Sequence, residues 1–220
     1  MSKIDIPELL LEFEKRQNLE SRQYSNYTRE EQYIADGKHI HIPGREVCSI
    51  VARAIQNYEI RRVLEVGTGV GFFSMFVGCS IKQPGLEVFS FETDLHKATS
   101  AVANLASLGL NEFVHVYNED FLGIPHERIE EMNPGLVFVD AWKNDYVQHF
   151  SKILEVGISP PIIFFDNAEF PKEWQDAIQR LRRRVDSMVG LKRFTIPVGN
   201  GLEVVVPHSL DLRDPFLGHF

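Results

Sequence analysis

Leu136-Val137-Phe138-Val139-Asp140-Ala141-Trp142-Lys143, with its counterpart Ile162-Ile163-Phe164-Phe165-Asp166-Asn167, decides the fold of this 220-residue chain. Each stretch is a short apolar run that ends in an acid. Such runs read as strands buried on both faces, and in an open parallel sheet ligands gather at the strands' carboxyl ends. If the two strands are neighbours, about 4.8 Å apart, Asp140 and Asp166 converge there with the Asn167 carbonyl. Two carboxylates and an amide oxygen form a hard-oxygen site suited to Mg²⁺ or another divalent cation. Lys143, three residues past the first acid, puts an amine at the rim. A lone strand-end Asp reads more simply as a helix N-cap. The paired acids, the adjacent Asn and a glycine-rich loop upstream favour the ion site.

Around these runs, strand and helix alternate. Strand candidates are 61–66, 87–92, 113–117, 135–140 and 161–166, with helices near 71–80, 94–108, 144–156 and 170–186. The Asp94 N-cap and the Gly109 and Gly157 stops support these boundaries. Alternation of this kind implies right-handed βαβ units and a parallel sheet. Segments 191–196 and 202–206, joined by Pro197-Val198-Gly199-Asn200-Gly201, read instead as an antiparallel hairpin. The expected fold is therefore α/β and Rossmann-like: a mostly parallel seven-stranded sheet with a C-terminal antiparallel hairpin and helices on both faces. Residues 1–220 form one domain, with an N-terminal helical segment over 1–42 and an irregular tail over 207–220. Within the first segment, 6–20 is an amphipathic helix, and the capping box Thr28-Arg29-Glu30-Glu31 starts a second. Val47, Ile50, Val51, Ala54 and Ile55 follow helical spacing after the Pro43-Gly44 break.

Arg62-Val63-Leu64-Glu65-Val66-Gly67-Thr68-Gly69-Val70-Gly71 is a strand that runs into a glycine-rich turn and a helix. Glycines there let a ligand approach the backbone closely. Phe72 departs from the dinucleotide pattern, which disfavours a dehydrogenase, and Phe72 and Phe73 read as packing the following helix on the sheet. Glu65 at the strand end suits a cationic ligand better than a pyrophosphate. Glu92 ends the next strand, where an acid can accept from both ribose hydroxyls. Together they indicate a nucleoside ligand with a positive centre, and S-adenosylmethionine fits.

These motifs resemble the cation-dependent O-methyltransferases, the family of catechol and caffeoyl-coenzyme-A methyltransferases and their bacterial and archaeal relatives. The resemblance spans roughly residues 40–206. It implies that Glu65, Gly67, Thr68, Gly69 and Gly71 hold the methionine part of the cofactor and that Glu92 takes the ribose. It implies that Asn118 and Glu119, with Asp120, touch the adenine and that Trp142 covers it. Asp140, Asp166 and Asn167 would ligate the metal, with Asp140 also on the cofactor side, and Lys143 would be the general base. Two positions depart: Ala141 stands where the catechol enzymes carry His, and Phe194 where they carry an acid near the substrate. The acceptor implied is a small hydroxylated molecule. Some relatives methylate a hydroxylated uridine in transfer RNA, which makes RNA an alternative, and a catalytically silent cofactor-binding protein is another. Relatives are often dimers, and the N-terminal helices could cover a partner in a homodimer.

Composition sets outer limits. Hydrophobic residues are 44% and charged ones 25%, an ordinary globular balance, and the net charge of −8 disfavours broad nucleic-acid binding. The basic cluster Arg180, Arg182, Arg183, Arg184, Lys192 and Arg193 reads as a solvated helix face, or more sharply as a phosphate contact. His39-Ile40-His41 reads as rim positions rather than a metal pair. Cys48 and Cys79, isolated in apolar helical stretches, read as reduced core thiols. With no signal-peptide pattern and no membrane-length apolar run, the expectation is a cytoplasmic protein with no membrane contact.

Overall fold

The computed structural model describes residues 8–24, 41–81, 83–156, 161–169 and 175–212. Seven strands form one sheet in the order β3-β2-β1-β4-β5-β7-β6. They are β1 (Arg62–Val66), β2 (Glu87–Phe91), β3 (Val114–Tyr117), β4 (Leu136–Val139), β5 (Ile162–Phe165), β6 (Leu191–Ile196) and β7 (Leu202–Pro207). β1 to β5 run parallel, and β7 is antiparallel to both β5 and β6. The expected hairpin is therefore present, and it closes one edge of the sheet. Order reverses between β1 and β4, which makes the crevice at their carboxyl ends the switch point of the sheet.

The helices are α1 (Glu8–Tyr24), α2 (Arg45–Asn57), α3 (Phe72–Ser80), α4 (Leu95–Ser107), α5 (His126–Met132), α6 (Tyr146–Glu155) and α7 (Gln175–Asp186). Strand residues alternate between two cores. Val63, Leu136, Phe138, Ile162 and Phe164 meet α1 to α4, whereas Leu64, Val137, Val139, Ile163 and Phe165 meet α5 to α7. This is why β4 and β5 are continuous apolar runs: each side chain finds a core whichever way it points. Phe72 and Phe73 are buried as expected, and Phe73 stacks on Phe138 with ring centres 4.3 Å apart.

Some elements differ from the sequence reading. The first helix runs on to Tyr24. Helix α5 was not anticipated; of its seven residues only Ile129 and Met132 are buried, too few to show a helical period. The helix expected from Thr28, and His39, lie outside the described residues, as does the tail from residue 213. Cys48 and Cys79 are free. Among the described residues no helix is long and apolar enough to cross a membrane.

A buried ionic network fastens α7 to the hairpin. Glu203 on β7 is fully buried. Arg182 donates to its Oε2 from Nε and Nη2 at 3.0 and 2.8 Å, Thr195 Oγ1 donates to the same oxygen at 2.7 Å, and Arg193 reaches Oε1 at 3.1 Å. Arg193 also grips Asp186 with two bonds of 2.7 and 2.8 Å. Removing one member of a buried ion network leaves the others desolvated and unpaired, at a cost of roughly 3–5 kcal/mol. Glu203→Ala should lower unfolding stability by that order in chemical denaturation; a loss below about 1 kcal/mol would show that the network is not holding the hairpin.

Candidate functional site

The parallel ladder extends one residue past β4 and β5. Asp140 N–H donates to Val66 O at 2.9 Å and Asp166 N–H to Val139 O at 3.0 Å, so the two acids leave adjacent strands in step. Asp166 is buried. Burial, then repulsion from Asp140, hold its carboxyl above the usual range, although Lys143 and the Asn167 N–H (2.8 Å to Oδ1) oppose this. Lys143 opens a one-turn 3₁₀ segment (Lys143–Asp145) that turns its side chain back over the sheet. Its Nζ lies 2.8 Å from Asp140 Oδ1, with both side chains mostly buried. Burial alone would lower the Lys143 pKa, but the Asp140 charge and its hydrogen bond outweigh this and raise it. Lys143 is thus an ammonium in this state, the counter-ion of the acid pair.

Asn167 adopts a left-handed backbone, φ 58°, which Asn tolerates better than most residues. Its Nδ2 points at Asp140 Oδ1 from 3.4 Å and its Oδ1 accepts from Asn200 Nδ2 at 3.0 Å. Asp140, Asp166 and Asn167 therefore stand together, as the sequence indicated. Among the described residues no three His, Cys, Asp or Glu side chains cluster around a metal position; the donor set here is two carboxylates and an amide. Its chemistry fits a hard divalent cation, provided that Asn167 turns its oxygen inward and Lys143 cedes Asp140.

Across the switch point lies the glycine loop. Gly67 has φ 94°, and a Cβ there would fall 2.2 Å from Asp140 O, so the loop and the β4 end touch backbone to backbone. Thr68 is buried, its hydroxyl 2.6 Å from Ser90 Oγ. Gly71 (φ 87°) caps α3. Glu65 is buried beneath the loop, where its Oε2 accepts from Ser74 Oγ at 2.6 Å and also from Ser90 Oγ. Desolvation pushes its carboxyl up to about 8, against the two hydroxyl donors. Glu92 accepts from Gly69 N–H at 2.8 Å and Asp94 N–H at 2.9 Å. Thr93 Oγ1 also lies 3.5 Å from Oε1; a carboxylate has about four acceptor positions, so some acceptor capacity remains.

Beyond β2 and β3, Asn118 Nδ2 donates to Glu92 O and Thr93 O at 2.9 and 3.1 Å, tying the ends of the two strands together. Glu119 pairs with Arg128 at 2.6 Å. Trp142 is 53% exposed beside Lys143. Phe194 is partly buried and packs on the core. The basic cluster is not a uniformly solvated face: Arg182 and Arg193 are spent on Glu203, and Lys192 Nζ donates to Leu210 O at 3.2 Å.

Sequence reasoning missed Tyr146. Fully buried, it donates its hydroxyl to Asp166 O at 2.9 Å and lies 3.3 Å from Val139 O, bridging the two acid-bearing strand ends. Its place three residues after Lys143 was the available signal. Lys152, one helical turn and a half further along α6, fixes the turn after β3 through Leu122 O and Ile124 O at 2.9 and 2.5 Å. Asn200 was read only as part of a hairpin turn.

No protein-family model matches the chain. Solved structures do resemble it. An O-methyltransferase from Bacillus cereus, in complex with SAH, is 16% identical over 88% of this chain and 90% of its own, with a TM-score of 0.65. The O-methyltransferase TomG from Streptomyces achromogenes, in complex with SAM, is 17% identical over 94% and 92%, with a TM-score of 0.66. The SAH-bound methyltransferase PaMTH1 from Podospora anserina is 17% identical over 92% and 88%, with a TM-score of 0.68. At these identities the likeness establishes the fold, a Rossmann-like methyltransferase fold.

The raised Glu65 pKa has a thermodynamic signature. Unfolded, this acid ionises near 4.5; folded, near 8. Between those values the folded state holds the extra proton, so stability falls as pH rises, by up to about 1.4 kcal/mol per pH unit. His149, held down to about 4 by burial, works the other way up to its unfolded value of 6.5, and Asp166, raised to about 7, adds a fall of its own up to there, so the Glu65 contribution is cleanest from 7 to 8. Denaturant titrations of the ligand-free protein should show a shallower fall in Glu65→Gln than in wild type over that window. Parallel slopes would mean that Glu65 is ionised when folded.

Proposed function

We propose that this protein is an S-adenosylmethionine-dependent, divalent-cation-assisted O-methyltransferase acting on a hydroxyl of a small aromatic, catechol-like acceptor. The observation that carries the proposal is the juxtaposition of Asp140, Asp166, Asn167 and Lys143 across the switch point from a glycine loop flanked by Glu65 and Glu92. An RNA acceptor draws on the basic cluster alone, and Arg182, Lys192 and Arg193 are already engaged within the protein.

S-adenosylmethionine supplies a sulfonium methyl that an oxygen lone pair attacks in line, so the protein's task is positioning. Glu92 would accept from the ribose hydroxyls, Trp142 would cover the adenine, and the Gly67–Gly71 backbone would admit the methionine part. Asp140, Asp166 and Asn167 would hold the cation, which when bound favours the acceptor's anion as it does that of water. A phenol with pKa near 10 keeps its proton at neutral pH without such help. Lys143 meets the acceptor at the rim. Released from Asp140 and beside added positive charge, its ammonium loses its proton more readily, so the amine can take the acceptor's proton. Tyr146 keeps the two strand ends in place meanwhile.

Incubation with S-adenosylmethionine, Mg²⁺ and a panel of hydroxylated acceptors including bulk RNA, followed by mass spectrometry, tests the reading. Catechol-like acceptors should gain 14 mass units (a methyl for a proton), EDTA should abolish the gain and Mg²⁺ restore it. Full turnover after exhaustive metal removal would overturn cation assistance, and modification of RNA alone would reassign the acceptor.

Lys143→Met keeps the apolar stem but cannot take a proton. Its rate at neutral pH should fall by about 10²–10⁴-fold and recover in part as pH rises, because hydroxide then ionises the acceptor. Parallel rate profiles for mutant and wild type across pH 6–10 would remove Lys143 from proton transfer.

A further inference from the structure

Asn200 lies in the turn between β6 and β7, far along the chain from both acid-bearing strands, yet its side chain joins their hydrogen-bond chain. Asn200 Nδ2 donates to Asn167 Oδ1 at 3.0 Å, and Asn167 Nδ2 points at Asp140 Oδ1 from 3.4 Å. The backbones on both sides are pinned. Ala168 N–H donates to Gly201 O and Glu169 N–H to Asn200 O, each at 2.8 Å. Gly201 (φ 82°) sits so close to Glu169 that a Cβ would fall 2.5 Å from its Cγ. With the two loops stitched together, the two side chains are held within hydrogen-bond reach, and exchange of their amide ends preserves that contact.

That exchange carries a chemical consequence. As oriented, Asn167 offers the acid pair an N–H donor, which suits carboxylates whose counter-ion is Lys143. A cation needs the opposite end, the Oδ1 that Asn200 now occupies. An amide at position 200 tolerates either arrangement, because it can donate to Asn167 Oδ1 or, reversed, accept from Asn167 Nδ2. We propose that Asn200 is a positioning residue: by paired reversal of two amides it sets whether Asn167 turns nitrogen or oxygen toward Asp140 and Asp166, and so tunes the site's affinity for a divalent cation. The inference rests on the cation site of the proposed function.

An ionised Asp at position 200 can only accept. It would draw Asn167 Nδ2 to itself and leave Asn167 Oδ1 facing the acids. Titration of the full chain with Mn²⁺, free ion being followed by electron paramagnetic resonance without cofactor or acceptor, reads this directly. Asn200→Asp should tighten Mn²⁺ binding roughly three- to tenfold, the worth of one net hydrogen bond. The added charge alone would also attract a cation, so two controls separate the causes. The gain should disappear in an Asn167→Ala background, and it should survive about 0.5 M KCl, where exposed charges are largely screened. No gain, a gain that persists without Asn167, or one that collapses in salt would overturn the proposal. In the unmutated protein labelled with ¹⁵N-asparagine, Mg²⁺ should shift the side-chain amide signals of Asn167 and Asn200 together; movement of Asn167 alone would also overturn it. If wild type shows no Mn²⁺ binding that Asp166→Asn weakens, the cation site itself falls; if it does and Asn200→Asp changes nothing, only the role of Asn200 falls.

Discussion

Two carboxylates leave neighbouring strands at the same level, and nearly everything else in the crevice answers that constraint. The ladder that places Asp140 beside Val66 and Asp166 beside Val139 cannot be relaxed without slipping a strand, which would turn its whole apolar set to the wrong faces. The acids are therefore held together at a position where Asp166 is buried. Like charges so placed demand a cation. Unit charges about 4 Å apart interact by about 4 kcal/mol at an effective dielectric of 20, a scale that makes a nearby ammonium decisive. Lys143 meets the demand from within the chain, 2.8 Å from Asp140. A protein that carries its own counter-ion can fold before any ion arrives.

Geometry of that quality needs rigid support, and it comes from two directions. From the α5–α7 face, the Tyr146 hydroxyl reaches carbonyls of both strand ends. From the sheet edge, the hairpin turn clasps the loop after β5 through Asn200 O and Gly201 O. The hairpin is in turn held to α7 by Glu203 and its arginines. A charged network on the neighbouring strands, with Glu203 in register with Phe165, thereby fixes the turn that meets Asn167.

The central strands were legible because β4 and β5 are apolar runs between breakers, and burial on both faces is what such runs mean. The hairpin was legible from its glycine turn. Helix α5 was not, since most of its residues face water and leave no period to read. At the site, strand-end acids announced themselves, but their partners did not. Lys143 read as a rim amine, because only the 3₁₀ turn after Trp142 brings its Nζ onto Asp140. The hydroxyls on Glu65 come from Ser74 on α3 and Ser90 on β2, elements that no local pattern connects. The arginine cluster misled for the same reason: its acid, Glu203, is hidden in a β-strand of otherwise apolar residues.

The two halves of the crevice handle charge differently. On the loop side, Glu65 is pushed toward its neutral form by burial although two hydroxyls donate to it, so ligand-free it presents little field to the β1–β4 junction. On the acid side, Asp140 is paired with an ammonium. Gly67 brings these environments into backbone contact at Asp140 O, with no side chain between to insulate them. A positive ligand settling on the loop side would favour ionisation of Glu65, and a dication on the acid side would loosen the proton of Lys143. Each half would move a proton on being filled, in the same direction, outward. Binding at both halves is therefore linked to pH, and because the Asp140 charge already raises the Glu65 pKa, a change of charge in one half would be felt electrostatically by the other.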